Sequence, residues 1–224
     1  MPATIELTTD ELLATTRAVR KRLDFDRPVD MELVEECQQL GLQAPTGSNA
    51  QGWHFMVVTD DDKKQAIGEL YRDVFFNTYA PSPGSVHSLA KEARAAEQII
   101  AIAVQDSADH LAHNMDRVPV MVIPCVMGRL NLVPPESATL AWTGSLGSIF
   151  PAVWSFMLAA RSRGLGTCWT SLHLPKEQEV AEILGIPYDE VTQTALISVG
   201  HTIGDEFKAT TRRPLANSLH VDQW

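Results

Sequence analysis

Residues 44–53, Ala44-Pro45-Thr46-Gly47-Ser48-Asn49-Ala50-Gln51-Gly52-Trp53, stand between two incompatible periodicities. Upstream, in a segment opening near Asp30, Leu33, Val34, Cys37 and Leu40 recur at helical spacing; downstream, Phe55 to Thr59 reads as a strand. Pro45 ends the helix, because it brings no N–H and pushes the residue before it out of the α region. Thr46, Gly47, Ser48 and Asn49 then give a loop whose backbone amides and short polar side chains can converge on one ligand. Gln51 adds an amide that both donates and accepts, which suits a heterocycle edge of alternating carbonyls and N–H groups. On the residues alone, the loop is either a plain helix-to-strand connection or such a cradle.

Outward from this loop the pattern stays mixed. Thr8-Thr9-Asp10-Glu11 is a capping box and predicts a helix to about residue 18. Asp60-Asp61-Asp62 predicts a helix reaching Ala80, where Pro81-Ser82-Pro83-Gly84 breaks it, and residues 88–113 read as one long helix. Val118 to Met127 reads as a buried strand in which Pro119 and Pro124 signal an edge or a bulge. Ser145 to Arg163 is apolar on nearly every side, as in a helix packed all round or shared with a second subunit. A strand over Thr167–Leu172, a helix over Pro175–Leu184 and a strand over Thr192–Gly200 follow, and residues 205–224 form an aperiodic arm. Strands separated by helices of unequal length predict an α+β fold, with residues 1–224 as a single domain.

Size and charge narrow the function. A chain of 224 residues buries roughly 70% of its extended surface on folding. With 45% hydrophobic residues and 21% charged ones, it is a packed globule. A net charge of −10 argues against binding nucleic acid or an anionic membrane, both of which need a basic face. Cys37, Cys125 and Cys168 are odd in number and far apart, which supports neither a disulfide framework nor a zinc ribbon. The opening Met-Pro-Ala-Thr-Ile-Glu-Leu has no signal-peptide pattern. The apolar run Ile149–Ala160 falls short of the roughly 20 residues that span a bilayer. The expectation is a reduced, soluble, cytoplasmic protein.

Against this acidic background, Arg17, Arg20, Lys21 and Arg22 form one basic cluster and Arg212-Arg213, before Pro214, another. The first is either a favourable set of charges at a helix C-terminus or half of an anion site, and the second either a solvated tail or the other half. Arginine's planar fork suits phosphate. Gly164 reads as a helix C-cap; Gly166, entering a strand, signals close approach of another group to the backbone.

The 44–53 loop resembles the Ala-Pro-Ser-Gly-x-Asn-x-Gln-Pro-Trp segment of the nitroreductase family of FMN enzymes. Thr16-Arg17-Ala18-Val19-Arg20 is similar to that family's Arg-Arg-Ser-x-Arg, and Arg212 or Arg213 to its C-terminal basic pair. Gly164-Leu165-Gly166-Thr167-Cys168-Trp169 resembles Gly-Leu-Gly-x-x-Trp, and Leu184-Gly185-Ile186-Pro187 also fits. The resemblance runs from about residue 12 to 215, with almost none of it in 65–115. Three positions depart: Ala18 replaces a serine, Arg22 stands where an aromatic is common, and Gly52 replaces a proline.

The resemblance implies a nitroreductase-like fold, a central, mostly antiparallel sheet flanked by helices, in an intertwined homodimer with flavin at the interface. It implies FMN as cofactor and NAD(P)H as co-substrate: hydride passes to flavin N5, and a nitroaromatic or quinone-type acceptor then takes the electrons in a ping-pong cycle. Arg17, Ala18, Arg20, Arg212 and Arg213 would attend the phosphate. Pro45, Thr46, Asn49 and Gln51 would surround the ring or ribityl chain, with the backbone of Leu165 and Gly166 at the ring. No side chain is required as a catalytic nucleophile, acid or base, and no metal is implied. The alternatives are a specialised branch (a reductive dehalogenase or a flavin-consuming enzyme), a non-catalytic flavin-sequestering protein, and an α+β domain without cofactor.

Other patterns carry less. His110 and His113 share a helical face near three aspartates but have no evident third ligand. There is no G-x-S-x-G elbow and no G-x-G-x-x-G fingerprint. Tyr71, Phe75 and Tyr79 form a stripe that is either core or a flap ahead of Pro81.

Overall fold

A computed structural model describes residues 5–224, so the reading of the first residues as free of a targeting pattern falls, for Met1–Thr4, outside the described residues. Helix α1 (Thr9–Thr15) opens on the expected box: the Thr8 hydroxyl accepts the Glu11 amide at 3.2 Å, and the Glu11 carboxylate accepts the Thr8 amide at 2.8 Å. It stops at Thr15, short of residue 18. Thr16 is extended, Ala18 forms a parallel bridge to Thr167, and the Val19 amide donates to the Thr167 carbonyl at 2.8 Å. A long-range strand-edge contact here outcompetes a further turn of helix. The basic residues after Thr16 therefore lie beyond the helix, and the macrodipole does not account for them.

Strand β1 (Leu23–Asp24) is followed by α2 (Met31–Gly41), capped by Asp30, and β2 (Trp53–Val58). α3 (Asp61–Asp73) runs into a wider π turn over Val74–Tyr79. The expected 88–113 helix is two, α4 (Val86–Glu92) and α5 (Ala95–His113), parted where Ala93 and Arg94 turn extended. β3 (Val120–Met127) leads to α6 (Pro135–Ser162), which begins well before Ser145. β4 (Leu165–Thr170), α7 (Glu177–Leu184), β5 (Val191–Gln193) and β6 (Leu196–Thr202) complete the order.

The sheet runs β1-β6-β3-β2, with β4 on β6 and β5 on β3, and every strand pair is antiparallel. The single strand expected over 192–200 is divided because β3 takes two partners in turn: β6 along Val120–Val122 and β5 along Cys125–Met127. Pro124 sits at that changeover, where the Thr194 amide and hydroxyl both donate to its carbonyl at 2.9 Å. N–H and C=O of one residue face the same side of an antiparallel strand, so the missing N–H meets a break in the ladder. β3 is thus central, not an edge.

Strict alternation along β3 fills two cores. Val120, Val122 and Val126 face α2 and α6, meeting Leu33, Val34, Cys37, Ile149, Val153, Phe156 and Ala160. Met121, Ile123 and Cys125 face α3, α5 and α7, meeting Ile67, Tyr71, Phe75, Leu111, Met115 and Val180. A strand buried on both faces reads as one continuous apolar run, which is why the pattern at Val118–Met127 carried no alternation. The Tyr71–Phe75 stripe belongs to this second core, with the Tyr71 hydroxyl 3.0 Å from the Thr170 hydroxyl.

α6 carries the chain's largest contrast. Its Ile149–Arg161 half is built into the first core, and Gly41 of α2 lies so close that a Cβ there would meet the Ala152 carbonyl at 2.9 Å. Its first half is largely exposed, Leu140 at 81%. At 28 residues the helix is long and apolar enough to cross a membrane by length and composition, which corrects the estimate from Ile149–Ala160 alone. Its burial against β3, β4 and α2 makes it the core helix of this fold. The arm over 205–224 carries one short 3-10 turn, Leu215–Asn217.

Candidate functional site

The 46–52 loop does not lie flat across the surface. Ser48, Asn49 and Gln51 all have positive φ, near +50°, without being glycine. Each such residue costs on the order of 1–2 kcal/mol, a strain found where geometry serves a ligand. The Gln51 amide donates to the Thr46 hydroxyl at 3.3 Å, the Gln51 side chain donates to Asn49 Oδ1 at 3.1 Å, and the Gly47 amide donates to Ser148 Oγ of α6 at 3.2 Å. Between this loop, the end of β3 and the exposed half of α6 lies a cavity of about 440 Å³ that includes Thr46, Gln51, Trp53, Leu140 and Ser148. The sequence reading missed the α6 wall. Its signal was present as small residues at helical spacing, Ala141, Gly144, Ser145 and Ser148, which leave room for the cavity beside the loop.

A second cavity, about 300 Å³, lies where α1 ends against the start of the arm. Arg17 and Arg212 both line it, with Thr16, Lys208 and Thr210, and Arg17 donates from Nη1 to the Lys208 carbonyl at 3.1 Å. The two ends of the chain thus bring two arginines, a lysine and Thr210 to one hollow, residue types suited to a phosphate, while the Thr16 hydroxyl already donates to the Leu12 carbonyl at 2.6 Å. Lys208 and Thr210 had no signal in sequence. Arg20 does not line this cavity; it lies beside the buried Cys168 thiol, favouring its ionised form against burial. Ala18 spends its backbone on the bridge to Thr167, and Arg213 is exposed outside the lining.

Leu165 and Gly166 are buried in β4. A Cβ on Gly166 would stand 2.9 Å from Val19 and from Thr202, so this chain's own packing requires the glycine there. Gly164 takes φ +75° just after α6, as a C-cap does. The cysteines are inert: burial pushes the Cys37 thiol up to about 11 and that of Cys125 to about 12. His110 stacks on Phe25 and His113 packs at a tilt against Phe76, and among the described residues no group of three or more His, Cys, Asp or Glu is placed to hold a metal ion. Neither cavity holds a nucleophile paired with a base. The basic cavity offers charge for an anion and the loop cavity a part-apolar hollow; neither carries side chains that could by themselves move electrons.

The comparisons with known proteins bear on the fold and the family. The 4-nitrobenzoate reductase of Nocardioides sp. (strain LMS-CY) is 27% identical over 227 aligned positions, covering 92% of this chain and 86% of that one. Among solved structures, a BluB-like flavoprotein from Clostridium difficile 630 superposes with a TM-score of 0.69 at 17% identity, covering 97% of this chain and all (100%) of that one. The FMN and NADPH-dependent nitroreductase NfnB from Sphigopyxis sp. strain HMH superposes at 0.66 with 20% identity, covering 97% and 100%. At such identities the two structures speak for the fold alone. The pattern of the Nitroreductase family matches residues 13–201, most of the chain and both sequence clusters that build the loop cavity and the start of the basic one, and the chain belongs to that family.

Proposed function

We propose that the chain is an FMN-dependent oxidoreductase that draws on NAD(P)H and reduces nitroaromatic or quinone-type acceptors in the cytoplasm. The observation that carries this reading is the meeting of Arg17 and Arg212, from opposite ends of the chain, in one cavity beside Lys208. Bound there, FMN would supply the redox chemistry that no side chain offers. Arg17 and Arg212 hold the phosphate, with Arg20 and Arg213 adding positive charge nearby. Thr46 and Gln51, which line the loop cavity, form the cradle for the ring or ribityl chain with Pro45 and Asn49 shaping the loop beside them, and the buried β4 backbone at Leu165 and Gly166 lies behind the ring.

The phosphate cavity and the loop cavity share no lining residue. That separation supports a homodimer in which the loop of one copy faces the basic cavity of the other. The exposed apolar half of α6 and the arm, whose Leu215, Leu219, Val221 and Trp224 are all exposed, supply surface for such an interface. The 44–53 strain then holds amides in readiness for a ligand that arrives with the second subunit.

The test is an absorption spectrum of the purified protein with chromatography of the released flavin, followed by NAD(P)H oxidation with 4-nitrobenzoate, the compound in the Nocardioides relative's name. A yellow protein that releases FMN and turns over steadily supports the reading. A colourless protein or one carrying FAD overturns it, and bound FMN without NAD(P)H oxidation makes the protein a flavin-sequestering one.

A further inference from the structure

Of residues 203–224, Phe207 alone is not exposed, so the arm's attachment to the body is concentrated at one ring. Two arginines hold that ring. Arg22 has its guanidinium carbon 4.1 Å from the ring centroid, and Arg161 has its own at 4.7 Å. Both also grip the backbone that leads into it. Arg22 donates from Nε to the Ile203 carbonyl and from Nη1 to the Glu206 carbonyl, each at 2.8 Å, and Arg161 donates from Nη2 to the Asp205 carbonyl at 3.0 Å. Arg17 continues the ladder to Lys208. Gly204, at φ +73°, passes so near that a Cβ would stand 2.8 Å from Arg22 Nη2.

The chemistry is unusual enough to need a reason. Arg161 is 4% exposed, and its Nε and Nη1 have no partner among the described residues. Burial and the neighbouring Arg22 both disfavour its charge, and only Asp205 opposes them. A desolvated cation beside a second cation is retained at a cost, which the negative ring face and the carbonyls offset. An apolar residue at 161 would pack the same corner without that cost. What it would lose is the hold on residues 203–207, which have no secondary structure of their own.

We propose that Arg22, Arg161 and Phe207 form a clamp that seats the root of the arm and thereby positions Lys208 and Arg212 against Arg17. They are positioning residues for the phosphate, and this inference rests on the FMN reading given above. Freed from the clamp, the segment from Ile203 to Arg212 regains its conformational freedom, and phosphate binding must order it again.

The experiment uses the full chain with Phe207→Ala, read by amide hydrogen exchange and by fluorescence titration with FMN and, in parallel, riboflavin, which lacks the phosphate. The expected result is faster exchange confined to residues 203–212, FMN affinity weaker by about tenfold, as for one lost ordering contact, and riboflavin affinity unchanged. Phe207→Tyr should restore both readouts, and Arg22→Gln should reproduce the loss. Unchanged exchange at 203–212, or an equal loss for FMN and riboflavin, overturns the clamp. Wild-type protein that binds neither flavin overturns the FMN reading instead, and the exchange data then decide whether the clamp holds the arm.

Discussion

Two regions of the molecule differ in whether they are complete. Around α7, the Arg129 guanidinium meets Glu177 at 2.7 and 3.0 Å and the Val191 carbonyl at 2.7 Å, while Glu177 also accepts the Gln193 amide at 2.8 Å. Tyr188 covers the guanidinium at 4.1 Å. These charges find their partners inside one chain. Around the 44–53 loop, by contrast, the backbone is strained, Leu140 is bare and the polar side chains bond mostly within the loop itself. The first region is finished by its own sequence; the second leaves strained backbone and apolar surface uncovered. Substitutions in the first should therefore cost stability whatever is bound, and substitutions in the second should cost binding and assembly.

The sharpest break of this contrast is Glu177→Ala. It leaves Arg129, 9% exposed, without its carboxylate, and stranding one partner of a buried pair costs about 3–5 kcal/mol. Chemical denaturation with and without added FMN should show that full loss in both. A loss below about 1 kcal/mol would mean that the α7 corner is not self-supporting.

His173 gives the next largest effect. It is fully buried, and burial pushes its pKa from 6.5 down to about 4, opposed only by the neighbouring Gln193 side chain. The unfolded imidazole takes up its proton near 6.5 and the folded one only near 4, so between those values the unfolded state binds more protons. The stability due to neutral His173 is complete above pH 6.5 and drains away as pH falls to about 4, on the order of 3 kcal/mol in all. His173→Leu should flatten the stability profile across that window. An unchanged acid slope in the variant would remove His173 from the acid response.

In the basic cavity, which is likewise open to a ligand, Arg17→Ala should leave unfolding nearly untouched and weaken FMN by about tenfold to a hundredfold, the worth of one charge-assisted contact of 1.5–3 kcal/mol. Arg94→Ala, an exposed arginine at the start of α5, serves as the control. Equal flavin affinity in the two variants would dissociate the basic cavity from the phosphate.

What the sequence disclosed follows the same division. Local chemistry was legible: the Thr8–Glu11 box, the Asp30 and Asp60 caps and the stop before Pro45 all depend on neighbours within a few residues. Features fixed by distant partners were not. α1 ends early because Thr167 claims Val19, and the strand expected over 192–200 divides at Thr194 because β3 needs two partners. The loop and the two basic clusters could be found from residue type and spacing. That Arg212 meets Arg17 while Arg20 turns to Cys168 could not, because strand pairing and the arm's course decide it. Ser148 and Lys208 entered the cavities the same way, one by helix position and one by backbone path.

Leu140→Ser carries the smallest expected change in chain stability and tests the contrast most directly. Leu140 is 81% exposed and lines the loop cavity, so a lone copy gains little by burying it, and a surface substitution of this kind moves unfolding by no more than about 0.5 kcal/mol. In a dimer that covers this half of α6 the same side chain leaves water, and losing it removes about 1.5–3 kcal/mol of apolar burial from each copy. Sedimentation across a dilution series should then show the variant dissociating at higher concentration than wild type, and its flavin should leave with the dimer, because a ligand held between two copies is linked to their association. A variant that assembled and held flavin like wild type would leave the exposed half of α6 outside the interface. One that lost several kcal/mol of stability as a monomer would show that the region is finished by its own chain after all.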